Sequence, residues 1–193
     1  MPTNHHTNNI KVTTLSESFS QEDLYREINK SQYDNALLLG LPSMLLHYPS
    51  ILMTKDVINV FDNTSVENYN QFCSLLEDLE SIGYRNLFGG EMHDSDELIA
   101  YDYSCSIMYT LWAYDNKIID ERENKILACD YGYKIRQVYK STQKFIDQFF
   151  LVAYIAGFSK ELIAIQKNKL MNKQNGMLKD FNLKKIKFSQ VLS

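Results

Sequence analysis

The chain contains no proline after Pro49. Through that long remainder, apolar residues recur at three- and four-residue intervals, the period that brings one face of an α-helix round. Proline is the residue that most often interrupts a helix, because it lacks an N–H and clashes with the turn before it. Its absence beside this periodicity predicts a mainly α chain, a single-domain helical bundle of about seven to nine helices. A chain of 193 residues is within the usual size of one domain. It can bury a core without help from disulfides or metals.

Residues 1–19 read as a polar N-terminal segment, in which "NIKVTTL" at 9–15 alternates like a short strand. The helical domain is expected over 20–176. Ser20 is placed to cap "QEDLYREINK". "YDNALLLG" is expected to stop at Gly40, with Pro42 in the first turn of a separate short helix, "PSMLLHY". "TKDVINVFDN" reads as a further short helix. In "SVENYNQFCSLLEDLESIG", Val66, Tyr69, Phe72, Cys73, Leu76, Leu79 and Ile82 share a face, and Gly83 sits at the end. Leu98, Tyr101, Cys105, Met108 and Trp112 define the face of the next helix. A sharp "DNKIID" connection leads into "ERENKILACDYGYKIRQVYK". The stretch from Thr142 to Phe158 is apolar nearly all round, as a central helix would be, and Gly157 ends it. "SKELIAIQKNKLMNKQNG" is amphipathic and closes at Gly176. The basic segment 177–193 contains "LKKIKFSQVL", which alternates again and could form a strand, leaving open a short β pair between the termini.

Charge narrows the function classes. The formal net charge is −4, but it is unevenly spread. Residues 159–193 hold eight lysines against two acids, so the body before them is acidic. Nucleic acid is a poor fit as the main ligand, because phosphate binding needs a clustered positive surface. The longest apolar run, "FFLVAYIAGF", is about half what a membrane-spanning helix needs. Cys73, Cys105 and Cys129 are widely spaced on apolar faces and read as reduced core thiols. With no signal-peptide pattern at the N-terminus, the expectation is a cytoplasmic protein.

The densest chemistry lies in "FGGEMHDSDELIAYDY". Between Glu77 and Asp102 there are eight carboxylates and one basic residue, Arg85. Asp94 to Glu97 has the D-x-x-E form of a capping box, in which a short acid accepts backbone N–H groups at a helix start. Capping does not account for the whole charge density. Glu91, His93, Asp94, Asp96, Glu97 and Asp102 are therefore candidates for meeting a basic partner. Tyr103, Tyr109 and Tyr114 join them, since tyrosines cannot all face inward from one helix and are favoured at interfaces. The alternative for the same stretch is a metal-dependent hydrolase centred on Glu91, His93 and Asp94, whose spacing matches no established metal motif. No GxSxG, P-loop or dinucleotide glycine fingerprint occurs, so no catalytic residue, metal ligand or cofactor is assigned. A Cys–His nucleophile pair would need one of the three apolar-face cysteines.

"AYDNKIIDERENKIL", Ala113 to Leu127, resembles the helix-turn-helix of tellurite-resistance B-type domains, with Asn116 and Lys117 in place of the usual Gly-bearing turn. The plain reading of those residues is an acidic interhelical turn. In its whole character, small, acidic, rich in Asn, Tyr and Lys and poor in motifs, the chain resembles immunity proteins of bacterial polymorphic and contact-dependent growth inhibition toxin systems. That resemblance implies a non-enzymatic inhibitor whose acidic surface occupies the cationic cleft of a cognate basic toxin, nuclease-like in type. A third reading is a regulatory or effector protein that binds through its basic C-terminal tail.

Overall fold

A computed structural model describes residues 28, 30–47, 66–81, 83 and 99–186 of the chain. Six α-helices run through them: α1 (Lys30–His47), α2 (Tyr69–Ser81), α3 (Ile99–Asp115), α4 (Glu121–Val138), α5 (Thr142–Ile155) and α6 (Lys160–Met171). A 3₁₀ turn follows at Leu183–Lys185. No strand occurs among the described residues. The expected strand at 9–15, the Ser20 cap and the short helix "TKDVINVFDN" lie outside them.

The fold is mainly α, with α3 at its centre. It packs against α1, α2, α4 and α5, while α1 also reaches α4 and α6, and α5 rests on α6. The face read from the sequence is inward: Tyr101, Cys105, Met108 and Trp112 are all buried. So are Asp102, Ser104, Ser106 and Thr110, and hydrogen bonding makes this possible. Ser106 and Thr110 donate to the carbonyls of Asp102 and Ser106 one turn back, at 3.1 and 2.8 Å. Ser104 donates across to the Leu39 carbonyl of α1 at 2.8 Å. Buried hydroxyls with partners cost little, whereas orphaned ones cost their full desolvation.

Two helices depart from the sequence reading. α1 does not stop at Gly40 or restart at Pro42; it is one helix through both. Gly40 is a contact point rather than a terminator, since a Cβ there would lie 2.8 Å from Ile107 Cγ2. The missing side chain lets α1 lie directly on α3. Pro42 forgoes one N–H, and that loss is offset by burial on both sides, at Ala36, Leu39, Leu45 and Leu46. The second departure is α5, which is not buried all round. Phe145, Ile146, Phe149 and Val152 are fully inside, but Leu151, Tyr154 and Ile155 are 46%, 47% and 40% exposed.

The helix ends follow local chemistry. α3 closes on Lys117, which takes a left-handed φ of 59°. Lys117 N–H donates to the Tyr114 carbonyl and Ile118 N–H to that of Ala113, a Schellman closure with lysine where glycine is usual. Asp120 then caps α4 by accepting from Glu123 N–H at 2.8 Å. Ser141 and Ser159 cap α5 and α6 in the same way. α5 ends in a second Schellman closure around Gly157, φ 99°, as its position predicts. Beyond α6 the chain folds back instead of forming a separate tail or a strand up to Ile186. Leu178 and Leu183 are buried, and Thr142 Oγ1 donates to Phe181 O while accepting from Leu183 N–H. Those side-chain and carbonyl bonds take up the groups a strand partner would need, so 183–185 winds into a 3₁₀ turn. Residues 187–193 lie outside the described part.

Candidate functional site

Glu91, His93, Asp94, Asp96 and Glu97 lie outside the described residues, as does the hydrolase reading that depends on three of them. The other four candidates are placed. Asp102 is fully buried at the start of α3, so it does not contribute to a surface. Its carboxylate lies against Gly83, where any Cβ would collide with it, and Gly83 holds a left-handed φ of 50°. Helical spacing alone does not mark Asp102 as buried; the glycine that makes room for it is 19 positions earlier.

Tyr103, Tyr109 and Tyr114 are half-buried against the core. Tyr103 is engaged within the bundle. Its ring lies 5.6 Å from that of Tyr131, and the Lys134 ammonium sits 5.8 and 5.0 Å from the two ring centres. The same ammonium binds Glu80 of α2 and, at 2.9 Å, Asp130 one turn earlier on α4. One cation thus joins α2, α3 and α4. Burial pulls the Lys134 pKa down, but Asp130 and Glu80 outweigh it and leave the ammonium above its ordinary value. Asp130 is raised, because burial outweighs the attraction of Lys134. Asp130 is the buried member, its side chain 5% exposed, so removing Lys134 would leave that carboxylate without its cation.

Among the described residues, exposed acids gather on and just before α2 and at the start of α4. Glu67, Glu77, Asp78, Asp120 and Glu121 are exposed there, and Tyr69 is 48% exposed among them. Tyr69 donates its hydroxyl to Glu123 at 2.6 Å, linking α2 to α4. That bond, followed by burial, raises the phenol pKa and keeps the proton on the ring oxygen. Of these acids Glu121 pairs with Lys125, while among the described residues no ion pair within 4 Å involves Glu67, Glu77, Asp78 or Asp120. The sequence reading missed the α4 half of this surface. Its only linear signal was the acidic turn "DNKIIDERE", which the structure confirms as a tight connection between helices.

A buried polar cluster does bring a cysteine towards a histidine. His47 Nε2 is 2.9 Å from Tyr101 OH and 4.0 Å from Cys105 Sγ. Ser43 Oγ lies 3.3 Å from the same sulfur and donates to Ser104 Oγ at 2.9 Å. Burial pushes the Cys105 thiol up to about 12 and lowers the His47 pKa. A thiol with that pKa is almost wholly protonated at neutral pH, and the thiolate is the nucleophile. The cluster therefore ties α1 to α3 and does not resemble an activated pair. Among the described residues, no group of three or more His, Cys, Asp or Glu side chains is arranged to hold a metal ion. No helix among them is long and apolar enough to cross a membrane. No protein-family model, curated protein or solved structure matches the chain.

Proposed function

We propose that the chain is a non-enzymatic binding protein that captures a basic partner on an acidic surface, as an immunity protein neutralises a cognate toxin domain. The observation that carries this reading is the separation of charge. Exposed carboxylates gather on α2 and the start of α4, while Lys160, Lys169, Lys173, Lys179, Lys184 and Lys185 are exposed at the other end of the chain. A toxin that cuts RNA or DNA needs a cationic cleft, and a carboxylate face of this kind can occupy it in place of phosphate. Tyr69 provides an aromatic anchor within that face, of the type that slows release. Glu91, His93, Asp94, Asp96 and Glu97 are the sequence candidates for the same partner.

The test is to read the genes on either side of this one for a secreted protein with a toxin-like C-terminal domain and to follow association with that domain over about 50 to 500 mM salt. The wild-type association rate should fall as salt rises. Reversal of Glu67, Glu77 and Asp78 to lysine should slow association about tenfold or more while leaving the melting temperature nearly unchanged. A folded triple variant that binds at the wild-type rate would overturn the assignment of this face. Failure of the wild type to bind or protect against the toxin would overturn the immunity reading itself. A second reading, capture through the basic C-terminal segment 177–193, is favoured by the exposure of Lys179, Lys184 and Lys185. Charge neutralisation is the right probe for it, because truncation at 177 would also remove the buried Leu178 and Leu183.

A further inference from the structure

We draw no further inference here: the strongest candidate, the exposed apolar face at the C-terminal end of α5 formed by Leu151, Tyr154 and Ile155 with Lys160 over the Tyr154 ring, carries none because nothing in the structure shows what covers it.

Discussion

α3 and α5 invert the order that their compositions suggest. α5 carries "FIDQFFLVAYI", the more continuous apolar sequence, yet leaves one face open. α3 carries Asp102, Ser104, Ser106 and Thr110 and is buried on nearly every side. The difference lies in what each polar group meets. Ser104, Ser106 and Thr110 each donate to a carbonyl, either one turn back or on α1. The centre of a helical bundle is then set by how many neighbours a helix has and whether its polar atoms are satisfied, not by apolar density alone. α5 packs mainly on α3 and α6, and its outer residues Leu151, Tyr154 and Ile155 stay partly exposed.

The largest test of this contrast sets two positions of α5 against each other. Phe149→Ala should cost about 3–5 kcal/mol, because the ring is fully buried and stacks on Tyr101 at 5.1 Å between centres. Leu151→Ala, two residues along, should cost about 1 kcal/mol or less. Denaturant unfolding of both variants measures the difference, and equal costs would mean that the outer face is covered. Next in size is Ser104→Ala. It deprives Ser43 Oγ and the Leu39 carbonyl of a buried partner and should cost about 1–2 kcal/mol. A neutral result would show that polar satisfaction is not what lets α3 be central.

Much of this architecture is legible in the chain, and the exceptions share a cause. The inward face of α3, the stops at Gly83 and Gly157 and the tight "DNKIID" connection follow from spacing and local turn chemistry. The continuity of α1 does not, because Gly40 is explained by Ile107, far along the chain and on another helix. Nor does the burial of Asp102, which depends on Gly83, or the engagement of Tyr103, which depends on Lys134. The Tyr69–Glu123 bond spans 54 positions and leaves no mark in either local pattern. Local rules predict what a residue does within its own helix. They are silent on which distant side chain will meet it.

A pH test sharpens the contrast further, since His47 touches both helices: Tyr101 on α3, and the Phe158 ring just past α5, at 5.2 Å between centres. Burial lowers its pKa from the ordinary 6.5, so the folded state disfavours the charged ring. The stabilising effect is complete above the unfolded value and is lost as pH falls through the lower folded one. Stability measured from pH 7 down to about 5 should therefore fall less steeply for His47→Gln than for the wild type. Identical slopes would remove His47 from the account. The smallest effect is expected at the end of α3. Lys117→Gly relieves a left-handed lysine but loosens the unfolded chain, for a net gain of up to about 1 kcal/mol. Calorimetry should register a rise of about 2–4 °C, and a fall would mean that the lysine side chain is itself needed there.

The three cysteines also differ in reach, with a practical consequence. Cys105 and Cys129 are buried, and burial lifts both thiols to about 12. Cys73 is half-exposed on α2, one turn from Tyr69, with Glu77 and Glu123 close enough to act on its thiol. A maleimide dye added to the native, unmutated chain should therefore attach there first. It would sit in the middle of the carboxylate face, where the arrival of a partner changes its fluorescence and shields the thiol from further reagent. The protein thus carries its own optical reporter beside the surface on which its function is proposed to rest.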